Sequence, residues 1–350
     1  MLKSFRYILF PFSILYGLII WLRNKLFDKD ILKSSSFNFP IICVGNLAVG
    51  GTGKTPMAEY LINLLQQKFK VAVLSRGYKR KTKGFGIANE TTTPIEIGDE
   101  PMQIHNKFPN VTVAVAEERI VGIPQLLHEK PDTQVIILDD GFQHREVNAG
   151  LNILLTDYNN LFTRDFLLPA GDLRDIKSSS VRAHIIVVTK CKSYLSEVER
   201  QKIIAEIRPL PHQKVYFTKI EYSVPYHLFS KSEFILKHES EVLLVCGIAN
   251  PESIKEVLNT YVASYEILSY RDHHIFTMDD LKEIIMQFSK IDNPNGIILT
   301  TEKDAVRLMK FKSELDALPI YVFPMKHKFL FDEQLDFEHQ VEDFVRTFGN

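Results

Sequence analysis

Residues 40–56 limit the fold of this chain more than any other stretch. Positions 40–45 (PIICVG) are a continuous apolar run, the pattern of a strand covered on both faces. Ala48-Val49-Gly50-Gly51-Thr52-Gly53-Lys54-Thr55 follows, and Ala58, Leu61, Ile62, Leu64 and Leu65 then fall at helical spacing. A glycine-rich turn between an apolar strand and a helix lets backbone N–H groups close around phosphates. The helix N-terminus adds donors and a favourable dipole. Lys54 is placed to neutralise β- and γ-phosphates, and the Thr55 hydroxyl to bind Mg²⁺. Ala48 stands where such loops usually carry a first glycine, and Gly50 and Gly51 still supply the turn.

A loop of this kind needs an acidic Mg²⁺ partner at the end of a neighbouring strand. Residues 135–140 (VIILDD) provide it in Asp139 and Asp140. Further apolar strands are expected at 71–74, 111–116, 151–155 and 185–189, alternating with helical segments. That order predicts βαβ units and a P-loop NTPase-like, doubly wound, mostly parallel α/β sheet. Beyond residue 205 the alternation resumes, with strands expected at 215–222, 242–246, 297–300 and 320–323. Helices are expected at 254–261, 278–289 and 302–310, the last opening on Thr301-Glu302-Lys303-Asp304, which resembles a capping box with Asp in place of Glu. A second, smaller α/β domain follows from this. The expected division is 1–33 for an N-terminal apolar membrane helix and connector, 34–205 for the P-loop domain, and 206–350 for the C-terminal domain.

Charge then excludes some partners. Forty-two Lys and Arg nearly cancel 43 Asp and Glu, leaving a formal charge of -1, so no global field pulls the chain onto nucleic acid. No nucleic-acid partner is expected, and a monomer is favoured. Cys43, Cys191 and Cys246 sit in or beside apolar runs, which excludes a disulfide framework and fits a reducing compartment. Residues 7–22 (YILFPFSILYGLIIWL) carry no charge, with Lys3 and Arg6 before them and Arg23 and Lys25 after. As a helix this run reaches about 24 Å, short of the roughly 30 Å hydrocarbon core. No small-residue cleavage site of a signal peptide follows it. A buried core helix is the plainer reading; cations at both ends point instead to a helix that enters a bilayer or lies in its interface.

Several polar groups could carry chemistry. Gly98-Asp99-Glu100-Pro101 sets adjacent carboxylates before a helix, and Asp272-His273-His274 pairs a carboxylate with imidazoles. If the two domains face one another, these could form a base and its orienter. Neither His-x-x-x-His nor Cys-x-x-Cys accompanies them, so zinc is set aside. Ser75-Arg76-Gly77-Tyr78-Lys79-Arg80-Lys81 brings four cations to the end of the second strand, where a doubly wound sheet binds ligands. The same cations could meet anionic headgroups. Gly141-Phe142-Gln143-His144-Arg145 borders the same crevice.

Taken together these motifs resemble the tetraacyldisaccharide 4'-kinases of lipid A biosynthesis over most of the chain. The likeness runs through Val44-Gly45-Asn46, the phosphate loop with Pro56, Ser75-Arg76-Gly77-Tyr78 and Gly98-Asp99-Glu100-Pro101. It continues through Asp139-Asp140-Gly141-Phe142-Gln143-His144, Leu168-Pro169-Ala170-Gly171, Gly247-Ile248-Ala249, Asp272-His273 and Thr301-Glu302-Lys303-Asp304-Ala305. The resemblance implies transfer of the ATP γ-phosphate to the 4'-hydroxyl of tetraacyldisaccharide 1-phosphate, giving lipid IVA. It also implies Mg²⁺, a lipid substrate, and the cytoplasmic face of a Gram-negative inner membrane. Asp99, His273 and Lys54 are then the catalytic residues. Residues 48–55 bind ATP, and Thr55, Glu100 and one of Asp139 and Asp140 organise Mg²⁺. Asn46, Arg76, Arg119, Gln143, His144 and Arg174 are implied around the lipid. Two departures, Asp172 for proline and Asp175 for glutamate, flank Arg174 and leave its role open.

The rival from another class is a membrane-recruited P-loop nucleotide switch with no small-molecule product. Switch ATPases with a deviant P-loop carry a signature lysine where this chain has Val49. A GTPase would carry Asn-Lys-x-Asp where this chain has Thr189-Lys190-Cys191-Lys192.

Overall fold

The computed structural model describes residues 6–248 and 251–348. Lys3 of the N-terminal cations and Ala249 of the Gly247-Ile248-Ala249 motif lie outside the described residues. The apolar runs form strands β1 (Ile41–Asn46), β2 (Val71–Ser75), β3 (Thr112–Val115), β4 (Val135–Asp139), β5 (Leu151–Asp157), β6 (Ile185–Thr189) and β7 (Lys214–Tyr222). All seven are parallel, in the order β7-β6-β5-β1-β4-β2-β3. Antiparallel strands close both edges: the two-residue strand Gly86–Ile87 beside β3, and Met325–Phe329 beside β7. Alternate residues feed two cores. Ile41, Cys43, Ala72 and Leu74 face one side, and Ile42, Val44, Val71 and Val73 the other. Burial on both faces is why these strands read as unbroken hydrophobic runs.

A five-stranded sheet follows, built from β8 (Glu241–Cys246), β9 (Ser264–Ser269), β10 (Gly296–Thr301), β11 (Ile320–Phe323) and the short Tyr226–His227. Its faces also carry separate cores, Leu243, Val245 and Ile298 on one and Val242, Leu244 and Ile297 on the other. The expected division near residue 205 does not coincide with the edge of the first sheet. β7 pairs with β6, and the chain returns after the second lobe as β12 (Met325–Phe329), pairing with β7 from Thr218↔Phe329 to Tyr222↔Met325. A C-terminal helix, Gln334–Thr347, then packs Phe337, Val341 and Val345 into the first core. The second lobe is therefore an insertion between two strands of the large sheet. The strand MKHKF is charged at alternate positions because it lies at a sheet edge.

The helices that frame the cleft are α1 (Phe10–Asp28), α2 (Lys54–Leu65), α3 (Asp99–Lys107), α4 (Arg119–Glu129), α5 (Glu197–Ile207), α6 (Glu252–Tyr261), α7 (Met278–Phe288) and α8 (Glu302–Leu308). α1 extends past the expected apolar run, into what reads as a polar connector. It is not a core helix: Phe12, Ile14, Leu15, Leu18, Ile19 and Leu22 are each more than half exposed. Its buried side chains are Ser13, Asn24 and Phe27. Asn24 Nδ2 donates to Asp175 Oδ1 (2.9 Å) and Ser179 Oγ (3.1 Å), and Tyr16 OH to the Arg174 carbonyl (3.0 Å). Among the described residues, no helix is long and apolar enough to cross a membrane.

Candidate functional site

Parallel strands all point their C-terminal ends to one edge, where a doubly wound sheet opens its crevice. There β1 runs into the phosphate loop, β4 into Asp139-Asp140, and β2 into Ser75-Arg76. Gly50 and Gly53 take φ of 105° and 85°, left-handed conformations that L side chains rarely adopt. Open space lies over Gly50 and Gly51, where a Cβ would meet nothing within 4 Å. Beneath the loop the structure is tightly bonded. Asn46 Nδ2 donates to Thr52 Oγ1 (2.8 Å), Thr189 Oγ1 to the Thr52 carbonyl (2.9 Å), and His327 Nε2 to the Gly53 carbonyl (2.9 Å). Thr218 Oγ1 lies 2.9 Å from His327 Nδ1 and donates to it, so burial holds His327 neutral, its pKa lowered to about 4. Residues 47–49 are flanked by a second segment, with Val49 N bonded to Asp172 O and Arg174 N to Leu47 O, both at 2.8 Å.

The paired aspartates have different surroundings. Asp139 lies in register with Val44 of β1, and its Oδ1 is buried with no hydrogen-bond partner among the described residues. Burial, then the neighbouring Asp140, pushes its carboxyl up to about 6, with Glu100 adding to the effect. Asp140 is engaged by Lys54 (3.7 Å) and by both terminal nitrogens of Arg174. Burial would raise its carboxyl, yet Lys54 and Arg174 outweigh that and hold it below the ordinary carboxylate range. An orphaned buried oxygen suits a divalent cation, with Glu100 close enough to act on the same carboxyl and Thr55 in the first turn of α2. Among the described residues, no three His, Cys, Asp or Glu side chains could hold a metal by themselves. Mg²⁺ bound to a nucleotide draws its remaining ligands from phosphate oxygens and water, so the donor set fits that ion.

The expected pair of Asp99 and His273 meets across the two lobes. His273 Nδ1 lies 2.8 Å from Asp99 Oδ2, although 174 positions separate them in sequence. Gly98 (φ 94°) turns the chain sharply into α3, leaving Asp99 in the first turn and 5% exposed. α8 supplies two groups to which the sequence reading gave no role. Arg307 Nε donates to Asp99 Oδ1 (2.7 Å) and its Nη2 to Oδ2, while Lys303 Nζ lies 3.1 Å from His273 Nε2. Lys303 also reaches Asp272 Oδ1 (2.7 Å) and Glu100 Oε1 (3.8 Å), joining the pair to the Mg²⁺ side of the cleft. Thr301 caps α8 as expected, but the Asp304 carboxylate turns to Gly247 N (2.9 Å) instead of closing a capping box. A third missed cluster is the buried set Glu59–Lys107–Glu302, which ties α2, α3 and α8 together (2.6 and 2.5 Å).

The residues implied around the lipid divide by exposure. Arg76 is exposed at the end of β2. Asn46 is fully buried and braces the loop, while Gln143 Nε2 donates to the Asn46 carbonyl (2.7 Å). Arg119 is 1% exposed, its guanidinium bonded to the Ala116 and Asp139 carbonyls (3.3 Å to the latter), so it braces strand ends inside the fold. His144 is partly buried, and burial followed by the Arg119 charge lowers its pKa to about 4. Arg174 bridges Asn46 Oδ1 (2.6 Å) and Asp140. Both departures beside it have partners: Asp172 takes the Arg6 guanidinium (2.7 Å), and buried Asp175 holds Asn24 and Ser179.

The chain is similar to known proteins along nearly its whole length. The family model described as tetraacyldisaccharide-1-P 4'-kinase matches residues 5–346. The tetraacyldisaccharide 4'-kinase of Flavobacterium johnsoniae is 49% identical, with 97% of each chain covered. That of Phocaeicola vulgatus is 45% identical over 97% of this chain and 94% of its own. Among solved structures, LpxK from Aquifex aeolicus in complex with ATP superposes with a TM-score of 0.74 at 32% identity. It covers 97% of this chain and 99% of that one.

Proposed function

The chain belongs to the tetraacyldisaccharide-1-phosphate 4'-kinase family, and from that premise we propose how its cleft transfers a phosphoryl group. The enzyme is an ATP-dependent kinase using Mg²⁺, and its acceptor is the 4'-hydroxyl of tetraacyldisaccharide 1-phosphate, giving lipid IVA. One observation supports the assignment of roles. Lys303 links the Asp99–His273 pair to Glu100, and Glu100 acts on Asp139 beside the phosphate loop, so base and phosphates share one cleft.

Residues 48–55 wrap the ATP phosphates, with Lys54 on the phosphoryl being transferred. Thr55, Asp139 and Glu100 would hold Mg²⁺, which when bound neutralises charge on the phosphates. Asp140, held by Lys54 and Arg174, orients the lysine and leaves Asp139 as the open carboxylate. The acceptor oxygen bonds to the γ-phosphorus as the bond from that phosphorus to ADP breaks. Its proton passes to the Asp99–His273 pair. Catalysis here is positioning and charge neutralisation, which the two lobes supply from opposite sides.

The lipid end of the reading rests on α1. Its exposed apolar side chains, the Arg6 and Arg23 cations at its ends, and an apolar cleft of about 380 Å³ against residues 165–177 suit a helix lying in the bilayer interface. The cytoplasmic face of the inner membrane, where ATP is available, is the proposed location. A switch without a product does not fit a family of kinases.

Radiolabelled γ-phosphate ATP with tetraacyldisaccharide 1-phosphate in detergent micelles tests the reaction. Label appearing in the lipid is the expected result; phosphate release with unlabelled lipid would sink the assignment. Cosedimentation with anionic vesicles tests α1, and charged substitutions at Leu15, Leu18 and Ile19 should abolish it.

A further inference from the structure

Every side-chain polar atom of Asp99 and His273 has a partner in this structure, and the partners are not equivalent. Asp99 is buried at the start of α3. Its Oδ1 accepts from Arg307 Nε (2.7 Å), and its Oδ2 from Arg307 Nη2 and His273 Nδ1 (2.8 Å). The guanidinium plane matches the carboxylate as a fork, the geometry that fixes orientation as well as charge. A carboxylate so held is acceptor-only, so the hydrogen of this contact must sit on His273 Nδ1. The other ring nitrogen, Nε2, then carries the free lone pair, and Lys303 Nζ caps it at 3.1 Å. Around Nε2 lie Asp272, Lys303 and the half-exposed Tyr78 ring, so this end of the pair faces the cleft.

Accepting the kinase reading of the cleft, in which His273 takes the hydroxyl proton and Asp99 orients it, we infer that Arg307 is the positioning residue of the pair: its fork fixes the Asp99 carboxylate on His273 Nδ1 and so holds Nε2 toward the acceptor. Both oxygens of Asp99 are turned inward to Arg307 and His273, so a hydroxyl would have to break the fork to reach them. At Nε2 it need only displace the Lys303 ammonium, which keeps Asp272 and Glu100 as partners. The proton moves from the acceptor oxygen to Nε2, giving an imidazolium whose Nδ1–H already points at Asp99. Arg307 comes from α8 and also holds the His274 carbonyl, so the base is correctly tautomeric only while the second lobe is seated. Sequence alone presents Arg307 as one more cation on a short helix.

The test uses the full chain with ATP and tetraacyldisaccharide 1-phosphate in micelles, comparing wild type, Arg307→Lys and Arg307→Ala with and without guanidinium ion. Loss of general-base alignment should lower kcat by about 100-fold or more in Arg307→Ala, with KM for ATP within about twofold. Lysine should not restore the rate, because it lacks the fork, whereas added guanidinium should restore part of it. Nitrogen-15 histidine spectra of the apo protein give a readout independent of activity. His273 should carry its hydrogen on Nδ1 in wild type and lose that preference in Arg307→Ala. Full activity in Arg307→Lys, or an unchanged His273 tautomer in Arg307→Ala, would overturn the inference. Absence of phosphoryl transfer in wild type would fail the kinase reading instead, while the spectra still decide the tautomer.

Discussion

Replacing Lys107 by Met should separate the lobes' energetics from their chemistry. Lys107 Nζ lies 2.6 Å from Glu59 Oε2 and 2.5 Å from Glu302 Oε1, and each carboxylate residue is only 3% exposed. Gln103 Nε2 (2.8 Å) and Met325 N (3.2 Å) satisfy the remaining oxygens. Two carboxylates around one ammonium leave an excess negative charge. Accordingly burial, then Glu302, pushes Glu59 up to about 7, while Glu59 and Glu302 together hold Lys107 above the ordinary ammonium range despite its burial. Removing one partner of a buried ion pair typically costs about 3–5 kcal/mol. At roughly 2 cal/mol/K of unfolding entropy per residue, a chain this long should lose about 4–7 °C in Tm. The sign with pH follows from proton uptake. In the variant Glu59, already pushed up by burial and by Glu302, loses the ammonium that opposed the shift, so the folded state holds its proton to higher pH than the unfolded chain does. Folded protein then binds more protons, and stability falls as pH rises. Wild type releases the Glu59 proton near pH 7 and the variant keeps it, which adds up to roughly 1.4 kcal/mol to the penalty between about pH 6 and 8. Thermal melts at pH 6, 7 and 8 measure this directly. The triple variant Glu59→Gln, Lys107→Met, Glu302→Gln, with no buried charge left, should recover most of the loss. A Lys107→Met penalty that does not change with pH, or a Tm within about 1 °C of wild type at pH 8, would refute the reasoning.

Other outcomes follow from the loop and its support. Gly53→Ala forces a side chain into φ 85° and brings its Cβ within 2.9 Å of His327 Nε2, so stability should drop by about 1–3 kcal/mol and the Mg-ATP thermal shift should shrink. Because burial lowers His327 to about 4, the unfolded chain alone binds its proton between pH 6.5 and 4. Wild type should lose on the order of 3 kcal/mol from this group as pH falls through that window, and His327→Gln should flatten the acid limb of the melt profile. Mg-ATP should stabilise the protein more than Mg-GTP in the same assay; equal shifts would count against an ATP site.

How much was legible depends on the distance over which each signal acts. Strand positions came through because burial on both faces writes itself into consecutive residues, as in 135–138 and 185–188. The same logic hid Met325–Phe329: an edge strand with Lys326 and Lys328 outward reads as a polar loop, so its return to the first sheet was missed. Asp99 and His273 were paired by resemblance to the kinases, while their residues alone offered the pair only on condition that two domains face each other. Lys107 and Arg307 look like ordinary helix-surface charges, and Glu302 and Lys303 stand in a motif shared with the kinases that by itself assigns them no role. Their partners lie on other helices and in the other lobe, where no local pattern records them.

The sequence by itself determined the phosphate loop, because a strand, a glycine turn, a lysine and a helix must be contiguous to make one. It also determined the parallel sheet, through apolar periodicity, and the apolar character of α1. Only the tertiary structure decided which aspartate is free, which nitrogen of His273 faces the cleft, and what Arg119 does. Those properties depend on the direction of hydrogen bonds between groups far apart in the chain. Such directions exist only once the backbone has brought the groups within about 3 Å of one another.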